Sequence, residues 1–495
     1  MAKLTRTNAP ELLRQISNMG SYGRAESEPD QHFMERFLPL PEYTRVLDPD
    51  VILVIGDRGA GKTELFRAIR FLADRKALQE LGAGGNIPDS AKSKWLVGYS
   101  GEGKEYPAPQ VFQQFSKGKK PDDLQIIWLG LLLRCLHHEK ILPRNAIPKA
   151  MQNVLASRPL VLKALFSATR KYMEMCVGAL DKTDTKLSQD ERWVFVSYDE
   201  LDRVSAGDWD ELRTILRGLI QFWSYYARRW KRIRPKIFLR RDLFDRVALF
   251  GPDVSKIAAQ RVELVWTTRN LYALSAKRMI NQSDLLKQYF EPVMPSGENR
   301  GELGWYPNET KEDGYRKFIE RLCGQFMGKE ASKGYSFTWI PNHLQDGNGR
   351  VLPRSMVRLF ESAAGIELRN QQLRAEWPHL LHHSSLRGAV DDVSTSRVQE
   401  IEDEEFPWIK RVRDHIASIN PSPQVPIERR DMEQLLKIDW NGVSEKPPEY
   451  SGHGLLQFLM ELGIFYLRGD GRVDARDLYL KGFGLKRKGG VARPH

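Results

Sequence analysis

The stretch GDRGAGKT, from Gly56 to Thr63, decides what kind of fold this sequence can adopt. It matches G-x-x-x-x-G-K-[ST], a glycine-rich loop that curls around phosphates. An apolar run, Val51 to Ile55, precedes it, as in central parallel strands. The following ELFRAIRFLADRKALQEL has apolar residues on one helical face and no proline. Because a phosphate site needs a strand before the loop and a helix N-terminus after it, the sequence predicts an α/β P-loop fold.

The loop and the first helical turn are expected to surround a nucleotide. Lys62 would reach the β and γ oxygens, and the Thr63 hydroxyl would ligate Mg²⁺. The predicted cofactors are therefore ATP and Mg²⁺, and the lack of an NKxD motif at a suitable place favours ATP over GTP. The predicted nucleotide-binding residues are Gly56, Asp57, Arg58, Gly59, Ala60, Gly61, Lys62, Thr63 and Glu64.

A second stretch, GYSGEGKE from Gly98 to Glu105, fits the same pattern except at its last position. Glu105 stands where the metal-binding hydroxyl should be, and a carboxylate there would repel phosphate. Pro107 and Pro109 follow at once and disfavour a long helix at that point. The sequence predicts a surface turn here rather than a phosphate site.

A second half of the site is predicted where the apolar run Trp193 to Val196 leads into Ser197-Tyr198-Asp199-Glu200. Acidic residues at the end of such a strand form a Walker B pattern, in which Asp199 would hold Mg²⁺ and Glu200 would polarise the attacking water. In a parallel sheet this strand end lies near the phosphate loop. The alternative is an acidic helix start, which Asp199, Glu200 and Asp202 would also suit.

Two arginines are candidates for sensing the γ-phosphate. Arg241 follows the apolar strand Pro235 to Leu239, and its guanidinium offers a fixed fork of donors. A surface salt bridge to Asp242 or Asp245 is the alternative. Arg354, in LPRSMVRLF, would reach the phosphates from a lid, or it belongs to an ordinary helix start.

Composition narrows the class of protein. The 495 residues are 41% hydrophobic and 28% charged, which is ordinary for a globular protein of two to four domains. A formal net charge of +12 favours polyanionic partners such as DNA. Three cysteines far apart in sequence predict neither a disulfide framework nor a zinc site. We find no signal peptide or membrane span, so the expected location is the cytoplasm, with no membrane partner.

These motifs together resemble the AAA+/STAND superclass of P-loop NTPases, and in particular large bacterial ATPases of defence and mobile-element loci. The resemblance covers Val51 to Ala364 and rests on GDRGAGKT, YDELDR, KIFLRR and LPRSMVRLF. It implies a switch ATPase that oligomerises or opens on ATP binding, with Lys62, Thr63, Asp199 and Glu200 in the site and Arg241 and Arg354 as sensor candidates. The separation of about 135 residues between the Walker motifs departs from a compact AAA+ core.

The expected organisation is a P-loop core with a large helical insertion, a helical lid and a C-terminal winged-helix-like domain. GLLQFLMELGIFYLRGDGRVDARDLYLKGFGLKRKGG is similar to the winged-helix tails of such ATPases, and its RGDG turn fits a β-hairpin wing. The predicted boundaries are 1–45 for an N-terminal segment packing on the core, 46–270 for the core, about 78–190 for the insertion, 271–400 for the lid and 427–495 for the basic last domain.

The leading hypothesis from sequence is an ATP-hydrolysing switch, a homo-oligomer that engages DNA or an effector protein in anti-phage defence. The defence role comes from the resemblance alone. A DNA-remodelling ATPase, of the transposition or helicase-loading type, is one alternative. A nucleotide-dependent scaffold without useful hydrolysis is another.

Overall fold

The chain forms two compact units in a computed structural model. One, here called the sheet unit, is Pro39–Val265; the other, the helical unit, combines Met1–Leu38 with Trp266–His495. The structure describes residues 4–20, 30–81, 86–101, 106–143, 145–204, 209–247, 259, 261–370, 373–404, 406–443 and 446–489. Within these ranges no helix is long and apolar enough to cross a lipid bilayer.

The sheet unit is built from parallel strands with helices between them. Its strands are β1 (Leu53–Gly56), β2 (Ser93–Tyr99), β3 (Trp193–Tyr198), β4 (Ile233–Arg240) and β5 (Arg261–Leu264). Its helices, numbered on from two in the helical unit, are α3 (Lys62–Arg70), α4 (Leu72–Leu81), α5 (Pro109–Ser116), α6 (Pro121–His138), α7 (Lys149–Ala156), α8 (Leu162–Lys171), α9 (Met173–Gln189), α10 (Trp209–Arg229) and α11 (Arg241–Val247).

The five strands lie in the order β2-β3-β4-β1-β5, and every neighbouring pair is parallel. All four residues of β1 are buried, as expected of a central strand covered on both faces. The strand that carries the predicted phosphate loop therefore lies at the interior of the sheet, next to β4. This confirms the predicted α/β class with a parallel P-loop sheet.

The helical insertion is shorter than the sequence predicted. Residues 78–190 were expected to form it, but β2 lies inside that range and pairs with β3 in the sheet. The inserted helices are α5 to α9, and α6 packs between α10 and α8 with Trp128 fully buried. As an edge strand β2 is only partly buried, so its sequence lacks the continuous apolar run of the inner strands.

The helical unit contains the remaining elements. Its helices are α1 (Ala9–Ser17), α2 (Asp30–Arg36), α12 (Thr268–Gln282), α13 (Asp284–Phe290), α14 (Glu312–Cys323), α15 (Ser336–Leu344), α16 (Pro353–Arg369), α17 (His383–Glu404), α18 (Ile409–Ser418), α19 (Arg429–Leu435), α20 (Gly452–Glu461) and α21 (Asp477–Leu480). Its strands are β6 (Gly297–Asn299), β7 (Trp305–Pro307), β8 (Gln424–Val425), β9 (Phe465–Leu467), β10 (Val473–Ala475) and β11 (Lys486–Arg487).

The N-terminal segment, expected to pack as one piece on the core, divides between the two units. Helix α1 packs on α16, and α2 packs on α12, both in the helical unit. From Pro39 onward the chain belongs to the sheet unit, where the turn Pro41–Leu47 buries Tyr43 and Val46. Apolar residues that are close together in sequence on either side of Pro39 therefore pack into the cores of different units.

The last part of the helical unit has the predicted winged-helix-like form. Helices α19 and α20 pack together, and β9 and β10 form an antiparallel hairpin across the turn at Gly471. Strand β10 ends at Ala475, and α21 begins at Asp477. Strand β11 then pairs with β8 in parallel.

Candidate nucleotide-binding site

The stretch Gly56 to Lys62 forms a tight loop between β1 and α3. Gly59 and Gly61 have φ angles of 78° and 92°, in the left-handed region that favours glycine. Between them the Ala60 side chain is buried, and the Ala60 N–H donates to the Asp57 carbonyl at 3.1 Å. The backbone geometry that cradles phosphates is therefore present, and Glu64 lies in the first turn of α3 that follows.

Lys62 is folded onto its own loop. Its Nζ donates hydrogen bonds to the carbonyl oxygens of Gly56 at 2.9 Å and Asp57 at 3.0 Å. Burial lowers the pKa of Lys62, while the nearby charges of Asp199 and Asp202 oppose that shift. A phosphate oxygen is an acceptor of the same kind as these carbonyls, with a negative charge in addition.

Asp199 lies directly after β3 and is only 4% exposed. Burial raises its pKa to about 6, while the Lys62 charge and a hydrogen bond with the Thr63 side chain act to lower it. In the described part of the chain its Oδ2 is buried and has no hydrogen-bond partner. The structure thus brings together Lys62, Thr63 and Asp199, three of the residues that the sequence predicted.

The oxygen donors here suit Mg²⁺. An unpaired carboxylate oxygen and the Thr63 hydroxyl are hard ligands of the kind that Mg²⁺ prefers, and in nucleotide sites phosphates and water complete the shell. Among the residues that the structure describes, no three His, Cys, Asp or Glu side chains form a metal site of their own. Thr63 and Asp199 are therefore the residues that would hold the ion together with a nucleotide.

Glu200, the predicted base, adopts a left-handed backbone with φ of 54°. Its Oε1 forms an ion pair with Arg203 Nη1 at 2.8 Å, and its Oε2 accepts a hydrogen bond from the Ser100 hydroxyl at 3.4 Å. Ser100 follows β2 directly, so the Glu200 carboxylate lies on the β2 side of its own strand.

Asp202 was considered in the sequence only as a helix-start acid, yet its charge reaches the loop. Burial works to raise the pKa of Asp202, but the charges of Arg240, Arg58 and Lys62 outweigh burial and lower it. Its Oδ2 lies 3.4 Å from Arg240 Nη1. No strand-end motif flags this residue, because it stands four positions beyond the end of β3.

The two arginines at the end of β4 have different surroundings. Arg240, the last residue of β4, is 7% exposed and contacts Asp242 at 2.7 Å and Asp202 at 3.4 Å. Arg241 begins α11. It pairs with Glu263 at 2.8 Å, and its Nε lies 3.6 Å from Asp57 Oδ1. From sequence, Arg241 was a candidate for the γ-phosphate sensor or for a surface salt bridge, and its sensor role stays a prediction. The charge of Arg240 is among those that act on Lys62.

Arg354 lies in the helical unit, at the start of α16. It is 52% exposed, and its Nη1 is 3.7 Å from Glu400 Oε2. Glu400 also pairs with Arg358 at 2.7 Å and Arg397 at 3.8 Å. A sensor role for Arg354 stays a prediction.

The second glycine-rich stretch is not organised as a phosphate loop where the structure describes it. Gly98 lies inside β2, and the next helix, α5, begins only at Pro109. A Cβ on Gly98 would stand 2.6 Å from the Tyr198 ring, so this glycine allows close packing of β2 on β3. Residues 102–105 lie outside the described residues.

Comparisons with known proteins show only weak structural likeness. No protein-family model matches the chain, and no curated protein is significantly similar to it. Among solved structures, the ORC2 protein of Aeropyrum pernix in ADPNP–ADP complexes is 14% identical, with a TM-score of 0.35, covering 97% of this chain and 91% of that one. A Walker-type ATPase of Pyrococcus abyssi is 14% identical, with a TM-score of 0.36 and coverage of 88% and 93%.

A third structure, the A. pernix ORC1 protein in complex with DNA, is 13% identical, with a TM-score of 0.33, covering 89% of this chain and 90% of that one. Similarity at this level shows neither a family nor a function for this chain. The functional argument therefore rests on its own residues.

Proposed function

We propose that the chain is an ATP-binding and ATP-hydrolysing P-loop switch of the AAA+ kind. One observation carries this proposal: a buried Asp199 carboxylate, with one oxygen unpaired, lies against Thr63 and Lys62 at the carboxyl edge of a parallel sheet. A buried, unpaired carboxylate oxygen is costly unless a cation or a water bound to one uses it.

In this function the loop amides and Lys62 bind the β- and γ-phosphates, and Thr63 and Asp199 hold Mg²⁺. When bound, Mg²⁺ neutralises charge that develops on the phosphates. Glu200 accepts the proton of the attacking water, which is why a carboxylate is needed there. Arg240, with Arg58 and Asp202 around it, stabilises the transferred phosphoryl group from the β4 side, and Arg241 and Arg354 remain sensor candidates.

We further propose that the switch acts on DNA through the C-terminal region. Lys486 and Lys488 are exposed on and just after β11, at the basic end of a chain with a net charge of +12. Helix α20 has no lysine or arginine, and its exposed residues are His453, Gln457 and Glu461. A basic strand surface at Lys486 and Lys488, together with a helix that offers no cation, suits phosphate contacts rather than base recognition.

Two alternative functions remain open to test. A DNA-remodelling ATPase would form its oligomer on DNA, and an effector-protein switch would use the same C-terminal region for a protein contact. Homo-oligomer formation, a cytoplasmic location and a role in anti-phage defence remain predictions of the sequence and its resemblance.

The test is steady-state turnover of Mg·ATP by the full chain, with and without duplex or single-stranded DNA, at low and moderate salt. Turnover that rises with DNA and loses this rise as salt increases supports the DNA switch. Turnover that ignores DNA at every salt concentration rejects DNA as the activating ligand and favours a protein partner. No turnover under any condition, with ATP bound, favours the nucleotide-dependent scaffold.

A further inference from the structure

A groove of about 660 Å³ lies in the last part of the helical unit, between α18 and the stretch 435–443 at and after the end of α19. Two contacts join this stretch to α18. Arg411 Nε donates to the Asp439 carbonyl at 2.9 Å, and His415 Nε2 lies 3.0 Å from the Leu435 carbonyl oxygen. The described residues that line the groove include none of those proposed above to bind ATP or DNA.

Part of the groove is apolar. Its lining includes Pro407, Trp408, Ile438 and Val443. Trp408 is 4% exposed, and its ring packs edge-on against that of Trp440, with the two ring centres 6.3 Å apart. Ile438 and Val443 are half-buried, so they still present apolar surface to water. Covering this surface with an apolar side chain of a ligand would be favourable.

Two exposed cations stand beside the apolar surface. Arg411 is held by its bond to the Asp439 carbonyl, and its guanidinium carbon lies 5.9 Å from the centre of the Trp440 ring. Within the part of the chain that the structure describes, its two terminal nitrogens and the Lys410 ammonium form no hydrogen bond or ion pair. A guanidinium fixed in this way presents a planar fork of donors, which binds a carboxylate through both of its oxygens.

The two carboxylates of the groove already have donors. Asp414 Oδ1 accepts from Arg413 Nε at 3.1 Å and from Arg413 Nη2 at 3.0 Å. Asp439 Oδ1 accepts from the Asn441 N–H at 3.0 Å. The groove therefore combines an apolar surface with positive charge that is available to a ligand.

We propose that this groove docks a short acidic segment of a partner protein, with an apolar side chain against Trp408 and a carboxylate on the Arg411 fork. Five of the lining residues are exposed, and an open groove suits a chain that runs through it, whereas small-molecule sites bury most of their ligand. A nucleic-acid backbone would leave the apolar surface uncovered and would bring phosphates close to Asp414 and Asp439. Such docking lies beyond ATP binding and DNA contact, and it needs no nucleotide.

Fluorescence anisotropy of labelled hexapeptides with the full chain tests this proposal. The probe ELDFEL carries acidic and apolar side chains, QLNFQL lacks the carboxylates, and EADAEA lacks the large apolar side chains. The wild type should bind ELDFEL saturably below about 1 mM and each of the other two at least about tenfold more weakly. Arg411→Ala should weaken ELDFEL binding by about tenfold or more, and Arg411→Lys, which keeps the charge without the fork, should lie in between.

Lys410→Ala is a second variant, because Arg411→Ala also removes the bond to the Asp439 carbonyl. It leaves that bond in place and should weaken ELDFEL binding by about two- to fivefold without changing QLNFQL binding. The matched control is Lys437→Ala, which removes an exposed lysine on the same stretch that is not among the described lining residues. This control should bind ELDFEL like the wild type.

Three results would overturn the proposal. One is equal binding of ELDFEL and QLNFQL, or no binding of ELDFEL up to about 1 mM. Another is an equal loss in Lys437→Ala and Lys410→Ala, which would show unspecific attraction to a basic chain. The third is a DNA duplex that displaces ELDFEL and itself binds Arg411→Ala more weakly than the wild type, which would assign the groove to DNA.

Failure of this docking site and failure of the proposed ATPase are distinguishable. Turnover of Mg·ATP without ELDFEL binding rejects only the docking site. Binding of ELDFEL by a chain that does not hydrolyse ATP rejects only the hydrolysis.

Discussion

Gly56 and Arg240 are paired residues at the carboxyl ends of the neighbouring strands β1 and β4. The pairing brings Arg240, whose side chain is buried, alongside the first residue of the phosphate loop in the sheet. Asp242 holds that guanidinium through two hydrogen bonds, at 2.7 and 3.0 Å. Arg240 is therefore pre-positioned beside the nucleotide site by the register of the sheet.

Replacing Arg240 should damage ATP hydrolysis more than replacing Arg241. Arg240→Ala removes a fixed fork of donors beside the loop, and we expect kcat/KM to fall by about 10- to 100-fold. Arg241→Ala should cost less, because the charge of Arg240 acts on Lys62 and Asp202, whereas that of Arg241 acts on Glu263 and Asp57. Steady-state kinetics of the two variants at saturating Mg²⁺ check this order; an equal or reversed loss would return the sensor role to Arg241.

The first and second glycine-rich stretches should respond differently to alanine. Gly98→Ala would press a methyl group into the buried side chains of Tyr198 and Val196, each 2.6 Å away, and should destabilise the sheet unit by about 1–3 kcal/mol. The control Gly178→Ala, in α9, meets open space and should leave stability unchanged or raise it by up to about 1 kcal/mol. Calorimetric melting of both variants provides the comparison, and equal melting temperatures would contradict the packing role of Gly98.

Lys277 should make the stability of the helical unit depend on pH. It is fully buried on α12, its Nζ donates to the Leu303 carbonyl, and burial lowers its pKa to about 7. Between pH 7 and the ordinary lysine pKa of about 10.4, the unfolded chain binds a proton that the folded chain does not, so stability rises with pH. Below pH 7 both states bind the proton, and the full cost of burying the charge remains.

The variant Lys277→Met isolates this effect. From pH 7 to pH 9, the wild type should gain stability relative to Lys277→Met by on the order of 2 kcal/mol. Denaturant unfolding of the two proteins at both pH values measures the difference. Parallel pH dependence in the two proteins would show that Lys277 stays charged when folded.

The basic strand surface should account for DNA binding. Lys486→Glu with Lys488→Glu should weaken duplex binding about equally for unrelated sequences and reduce the slope of log affinity against log salt by about 1 per lost phosphate contact. Gln457→Glu, on the exposed side of α20, is the control and should have a much smaller effect. Fluorescence anisotropy over a salt series tests this; a larger loss from Gln457→Glu would move the contact to α20.

The central site could be predicted from sequence because its parts are local. A loop such as Gly56–Thr63 carries its geometry in its glycines, and an acid after an apolar strand, such as Asp199, must come to the carboxyl edge of a parallel sheet. The α/β class follows from the same two motifs. The sequence patterns did not predict β2 and β5. These two strands form the edges of the sheet and lack long apolar runs.

Other features depend on strand ends, backbone conformation and packing, which the sequence pattern does not determine. Whether Arg240 or Arg241 faces the loop is decided by where β4 ends, a matter of one residue in strand register. The backbone of Glu200 is left-handed, a conformation that no residue preference signals at this position. The N-terminal segment divides at Leu38 because neighbouring apolar residues pack into two different cores.

The measurement that tests the central claim most directly combines ATP binding and turnover for three full-length proteins: the wild type, Lys62→Ala and Glu200→Gln. The account predicts that Lys62→Ala loses binding of a fluorescent ATP analogue and loses turnover, because the phosphates lose their main cation. Glu200→Gln should bind the analogue like the wild type and turn over at least about 10²-fold more slowly. If Lys62→Ala binds and hydrolyses ATP like the wild type, the loop at Gly56–Thr63 is not the nucleotide site.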